Sequence, residues 1–456
     1  MLKMKKVTPL FLFYLSWFWI QFSIHVQGFS QTKGSLGFSG KSFPASPCVD
    51  HAWHAAWMDS LETISKKYPY SGDEKAFLKM RWPLKWAPGF GGRSFYGISN
   101  YFDLNPATGA LLDFNCGNRT YDLGTYSHNG TDIFLWPMWW KSMAEGQVDV
   151  VAAAKGIVLQ KIDGQFDQQC VWTNATWNVV VVKHSDTLST LYGHLKKNSL
   201  TSKAIGDTVQ EGEYLGKVGS SGRSNGPHLH FETLRLGQAF DPWRGPCNLV
   251  QSRWKAQPSY FDPFLNHVET SAGLPVFPPC PQVEDMRSKD TFQLADTVFI
   301  THYFRDLRTN DTLRIKLIHP NGQAVDSLKE ALIFPEGFFD AAYWTFYWLM
   351  PTNAQGGNWK FEVRYYQNRD TARFYWNGPL SVQNKIPKKW TALSRGDGIW
   401  EFPQCEGIRQ AFWVNWLGQK KPLTHRGNQV QISENWVQQG GFVQLWTEIG
   451  LQHIRL

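Results

Sequence analysis

The stretch Gly226-Pro227-His228-Leu229-His230-Phe231-Glu232 decides how this chain is read. Side chains alternate faces along a strand, so His228 and His230 project together. Leu229 and Phe231 project the other way, where a core can hold them. Two imidazoles on one face, backed by apolar residues on the other, can reach a common metal. Taken alone, such a pair more often marks two stacked surface histidines, since histidine serves many roles without a metal. Its spacing does not say which of the two would bind. The preceding run, residues 219–226, is rich in Gly and Ser but has no Lys in phosphate-loop position and leads into a strand. It reads as the turn that delivers His228.

Working outward, His128-Asn129-Gly130-Thr131-Asp132 sets a His and an Asp four apart, on one side in either helix or strand. The Asn-Gly pair and the nearby Gly124 speak against helix. Between the two pieces, Tyr192-Gly193-His194-Leu195 ends an apolar alternating run. Each piece is weak by itself. Together they supply a carboxylate and several imidazoles, ligand types that zinc accepts, and a catalytic zinc keeps three protein ligands and one position open to water. Three ligands plus two spare histidines suit hydrolysis better than a closed structural site. No Glu follows the first His, so the glutamate-base scheme of H-E-x-x-H enzymes does not apply. None of the six cysteines (Cys48, Cys116, Cys170, Cys247, Cys280 and Cys405) lies in a C-x-x-C pair, which speaks against a cysteine zinc site. Their even number permits full disulfide pairing in an oxidising compartment, and the sequence does not choose the connectivity.

The runs HNGTDIF (128–134), LSTLYGHL (188–195) and GEYLGKVGSSGRSNGPHLHFE (212–232) resemble the lysostaphin-like, LytM-type zinc endopeptidases, with the three motifs in that family's order. The flanking VDVVAAAKGIVLQK (148–161) and AIGDTVQEGEYLGKVG (204–219) extend the resemblance to roughly residues 120–245. The resemblance implies a small antiparallel β-sandwich peptidase domain of the LytM, duplicated-hybrid-motif type. It implies zinc ligands at His128, Asp132 and His230, with His194 and His228 as non-ligating catalytic histidines. It also implies hydrolysis of peptidoglycan stem peptides or cross-bridges by a metal-activated water. The alternative is a LytM-fold protein that binds or regulates at the cell wall without catalysis. One departure is the segment 163–178, longer than the loop expected there and a candidate wall of the groove. Its Asp163 and Asp167 offer too few oxygen ligands for a calcium loop.

Around this centre the chain reads as mainly β. Residues 1–28 have a basic start at Lys3, Lys5 and Lys6, an apolar run, and Val26-Gln27-Gly28 at a cleavage position, the pattern of a secretory signal peptide. The body is then exported to the periplasm, cell surface or beyond. An uncleaved membrane anchor is the alternative, and no second apolar run calls for membrane insertion. Residues 29–119 read as a linker and irregular lead-in with a short helix around 51–67, and 120–265 as the peptidase domain. A Pro-rich linker is expected at 266–284. An immunoglobulin- or fibronectin-like β-sandwich follows at 285–384, with several strands between turn signals. A further β-rich segment, 385–456, has no assignment. The formal net charge is +8 without a Lys/Arg block past residue 6, which excludes a nucleic-acid module and fits general attraction to an anionic surface. The oligomeric state is open.

Overall fold

Runs such as Val179–Lys183 and Leu188–Gly193, dense in β-branched and aromatic residues and bounded by Asn, Ser and Gly, form strands because such side chains pack well on a pleated surface. In the computed structural model the described residues are 33–41, 61–70, 77–378 and most of 393–454, with short gaps at 62, 108, 123–126 and 334–336 and several between 397 and 449. The expected signal peptide, Cys48, Cys405 and most of the expected 51–67 helix lie outside them. Residues 63–65 are helical. The chain divides into two units, 1–379 and 380–456.

In chain order the first unit holds β1 (Lys33–Lys41), β2 (Leu84–Trp86), β3 (Tyr96–Asn100), β4 (Thr131–Leu135), α1 (Trp139–Ala144), β5 (Val148–Val151), β6 (Gly156–Ile162), β7 (Val179–Lys183) and β8 (Leu188–Gly193). It continues with β9 (Thr208–Val209), β10 (Tyr214–Lys217), β11 (His228–Arg235), β12 (Gln238–Ala239), β13 (Phe264–Ser271), β14 (Thr291–Phe292) and β15 (Thr297–Arg308). β16 (Asp311–Ile318), β17 (Ala324–Leu332), β18 (Phe338–Leu349), β19 (Gly357–Tyr365) and β20 (Asn368–Trp376) complete it.

An eight-stranded sheet runs β3-β4-β11-β8-β7-β6-β9, with β12 beside β11, and every pair in it is antiparallel. A three-stranded sheet, β10-β5-β2, shares its core: Leu215, Val148, Val150 and Leu84 meet Val180, Val182, Tyr192, Leu229 and Phe231. Leu229 and Phe231 are almost fully buried there, worth roughly 1.5–3 kcal/mol each. The opposite face of the large sheet carries His230 and Glu232 and runs on into a smaller apolar cluster. There Leu234, Val179, Val181 and Leu191 pack with Trp177, Tyr121 and Leu61. The lead-in is therefore part of this domain. β2 and β3 supply strands to its two sheets, and Leu61 covers its second face.

A second sandwich packs β1-β18-β15-β13 against β14-β20-β19-β16-β17 around Leu265, Ile300, Ile315, Phe346 and Phe361. Here the expected linker at 266–284 gives way. β13 pairs along β15 from Phe264↔Arg305 to Ser271↔Phe299, so the sandwich begins inside that range. The strand was hard to read because only Leu265 and Val268 face the core, with Asn266, His267 and Glu269 interrupting the apolar pattern. The two sandwiches are clamped together. Phe134, Trp136, Met286, Tyr303, Ala341 and Tyr343 form a shared cluster, and Asn266 Nδ2 donates to the Tyr96 carbonyl at 2.9 Å. In the second unit, strands Leu393–Gly396, Ile399–Glu401, His425–Arg426 and Gln429–Gln431 form one sheet. Gln410–Val414, Lys420–Leu423, Phe442–Thr447 and Gly450–Ile454 form the other, and Trp413, Val430 and Val443 lie in their core.

Two buried imidazoles make stability depend on pH. Burial pushes His302 down to about 3, against a hydrogen bond to the Trp344 carbonyl, and pushes His184 down to about 4, against one to Lys155. Below pH 6.5 the unfolded chain takes up a proton at residue 302 that the folded chain refuses until about pH 3. The contribution of His302 is therefore complete above pH 6.5 and is lost as pH falls from 6.5 toward 3. Asp241, pushed up to about 7 by burial, acts in the opposite sense. A difference measurement isolates the imidazole. The stability gap between wild type and His302→Gln should shrink by about 2 kcal/mol from pH 7 to pH 5 in thermal unfolding. A gap that stays constant contradicts a neutral buried His302.

Candidate metal centre

The pairing of β11 decides what meets at the centre. On one side its register sets His230 opposite Asp132 of β4, and on the other opposite Gly193 of β8. Asn100 of β3 stands opposite Asp132 in turn. His128 enters from the turn before β4. Gly130 permits the approach, since a Cβ there would lie 2.7 Å from His230 Cε1. His128, Asp132 and His230 are all buried.

Each imidazole has one nitrogen committed to an acceptor. His128 Nδ1 donates to the Tyr101 carbonyl at 2.7 Å, and His230 Nε2 donates to Glu232 Oε1 at 2.8 Å. The other nitrogens, His128 Nε2 and His230 Nδ1, therefore carry lone pairs. They converge with Asp132 Oδ1 in a triangle with sides of 3.3 Å (His128 to His230), 3.2 Å (His128 to Asp132) and 2.8 Å (His230 to Asp132). Donor atoms bound at about 2.0–2.1 Å to a tetrahedral centre stand about 3.3 Å apart. Three acceptors meeting at that spacing repel one another unless a cation lies among them, and the two-imidazole, one-carboxylate set is one that zinc takes. Burial, the largest influence, pushes the Asp132 carboxyl up. The imidazoles around it, His128 foremost, more than offset this and hold it well below the ordinary carboxylate range.

The two remaining histidines face each other with ring centroids 4.5 Å apart. His194 Nδ1 donates to the Ser221 carbonyl at 2.6 Å, and His228 Nδ1 donates to the Gly226 carbonyl at 2.9 Å. In both, Nε2 is the unprotonated nitrogen of the neutral ring. His228 Nε2 lies 3.8 Å from Asp132 Oδ1, outside the ligand triangle but beside it. The fold thus brings all five sequence-read residues into one site and separates them into a triangle and a pair.

Residues 126–242 match the model for peptidase family M23. These residues are an M23, LytM-type peptidase domain. The DD-carboxypeptidase/endopeptidase Mpg of Neisseria meningitidis is 48% identical over 65 residues, 14% of this chain and 14% of that protein. The peptidoglycan DD-endopeptidase ShyC of Vibrio cholerae is 32% identical over 167 residues, 36% of this chain and 28% of that protein. The chain therefore spans well under half the length of these relatives. A solved zinc containing peptidase from Vibrio cholerae is 25% identical, covering 33% of this chain and 39% of that chain, with a TM-score of 0.21.

Four residues of the M23 site escape the motif reading. Glu232 is fully buried against His230, and Asn100 Nδ2 donates to Asp132 Oδ2 at 3.2 Å. The Tyr101 carbonyl orients His128. Trp177 closes one side, 5.1 Å from the His194 ring and 6.0 Å from His230, where Gly193 and Gly222 leave room for it. Glu232 was open to the period-two rule, since it shares its face with His228 and His230. A carboxylate behind a ligand histidine fixes its tautomer and raises its basicity. Glu232→Gln should weaken zinc affinity by roughly 10–100-fold in a chelator competition. An unchanged affinity would remove Glu232 from the centre.

Trp177 belongs to the long 163–178 segment, which is pinned rather than loose. Asp163 Oδ1 accepts the Asn198 amide at 2.8 Å, and Asp167 Oδ2 accepts the Lys197 amide at 2.8 Å. These are loop contacts to backbone amides. Cys170 is bonded to Cys280, and Cys116 to Cys247, which settles two pairings the sequence left open.

Proposed function

We propose that this chain is an exported, zinc-dependent endopeptidase that hydrolyses peptide bonds of peptidoglycan stem peptides or cross-bridges. The observation that carries the reading is the convergence of three lone-pair donors beside a second pair of imidazoles whose Nδ1 atoms are each held by a backbone carbonyl. His128 Nε2, Asp132 Oδ1 and His230 Nδ1 would hold the metal. When bound, zinc supplies Lewis acidity toward the scissile carbonyl and makes water a nucleophile at neutral pH. His194 and His228 then provide the proton path. One accepts the proton of the attacking water at Nε2. The other, protonated, donates to the oxyanion or to the leaving amine. Trp177 shields the pair from bulk water on one side.

The peptidoglycan substrate is supported by the DD-endopeptidase relatives and by the basic balance of the chain. Export follows from the same substrate and from the signal-like start. Among the described residues no helix is long and apolar enough to cross a membrane. An immunoglobulin-like character of the second sandwich belongs to the same proposal. Digestion of purified peptidoglycan by wild type and Asp132→Ala, read by mass spectrometry, tests the reading. Only wild type should release fragments with new peptide amino termini, and equal products from both contradict it.

A further inference from the structure

The turn at residues 219–226 does more than deliver His228. Its Ser221 carbonyl orients His194, and Ser224 Oγ lies 3.4 Å from His228 Nδ1. Gly222 packs closely against the Cβ and backbone of Trp177, the residue that walls the centre. Arg223 sits between them. It is half-buried, and its Nε is sealed from solvent with no hydrogen-bond partner. Among the described residues Arg223 makes no ion pair, hydrogen bond or ring contact. Other cations nearby are committed. Lys196 Nζ donates to the Met143 and Ala144 carbonyls at the end of α1, and Lys217 Nζ pairs with Asp149 at 2.6 Å.

A guanidinium Nε sealed from water without a protein partner carries a desolvation cost, while the rest of the fork stays open to a ligand. Its planar fork is suited to a carboxylate, which it binds through two parallel hydrogen bonds. We infer that Arg223 is a substrate-binding residue that receives a free carboxylate of the peptide being cut, close to the scissile bond. The inference rests on the endopeptidase reading and deepens it: the preferred substrate is an anionic peptide, recognised at a carboxylate rather than along its backbone alone. The positive charge contributes to binding and alignment and takes no part in proton transfer, which stays with His194 and His228.

The test uses two synthetic stem-type tetrapeptides, identical except that one ends in a free carboxylate and the other in a carboxamide. They are compared with wild type, Arg223→Gln and Arg223→Lys, all loaded with zinc. Wild type should favour the carboxylate peptide in kcat/KM by roughly 10–100-fold, mainly through KM. Arg223→Gln should bring that ratio close to one, through a raised KM for the carboxylate peptide, with the zinc content unchanged. Arg223→Lys should recover part of the preference. A ratio that Arg223→Gln leaves intact, or a fall in kcat for both peptides alike, overturns the assignment. A wild type inert toward both peptides and toward whole peptidoglycan overturns the endopeptidase reading and this inference with it.

Discussion

Asp132→Ala should strip zinc from the protein and lower turnover of peptidoglycan peptides by on the order of 10³-fold or more. The expected loss is large because Asp132 Oδ1 is shared by both ligand imidazoles, at 3.2 and 2.8 Å, and supplies the one negative charge among the three donors. Removing a group that only supports a ligand typically costs 10–100-fold, and removing the ligand itself must cost more. Asp132 is also the ligand whose loss disturbs the fold least. Asn100 would be left with a neutral amide to satisfy, whereas His230→Ala would leave the buried Glu232 without its imidazole. Circular dichroism and thermal unfolding should therefore match wild type measured without metal. Zinc bound at wild-type stoichiometry in the variant would remove Asp132 from the site.

The second large effect lies at the clamp between the sandwiches. Arg119 is buried, pairs with Asp306 at 2.6 Å and Asp340 at 3.0 Å, and donates to the Tyr260 and Ile98 carbonyls. Burial pulls the guanidinium pKa down, but the two carboxylates more than offset this and keep it charged. Arg119→Ala leaves two desolvated carboxylates facing each other, a loss of about 3–5 kcal/mol. Against a typical total of about 5–15 kcal/mol, that is a drop visible in any unfolding experiment. Because the pair joins the lead-in of the M23 domain to β15 and β18, wild type should unfold the two sandwiches in one transition. The variant should separate them into two. A single transition at the wild-type midpoint in Arg119→Ala would show that the clamp contributes nothing.

How much of this was legible in the sequence follows from the range of each interaction. The alternation in β11 is local. It correctly sends Leu229 and Phe231 to the core and His228 and His230 to the site, and carried two residues further it would also have found Glu232. The M23 resemblance covers β4 to β11 and stops short of β3. Asn100 and Tyr101 were therefore invisible, since they reach Asp132 and His128 only through strand pairing that brings distant segments together. Arg119 looked like an ordinary loop residue for the same reason. Its carboxylate partners lie more than 180 residues away. The Cys170–Cys280 pair joins the long loop to the Pro-rich segment, a contact that no spacing rule anticipates. β13 failed for a different cause. The prolines that follow it are real turn signals, and they pulled the boundary upstream over a strand with only two core-facing apolar residues.

Anomalous diffraction from crystals of the zinc-loaded protein, collected at the zinc absorption edge, tests the centre most directly. One strong peak per chain is expected, about 2.0–2.1 Å from His128 Nε2, Asp132 Oδ1 and His230 Nδ1, with His194 and His228 beyond bonding distance. A peak bound instead through His228 or His194, or no peak within reach of the three donor atoms, would contradict the assignment.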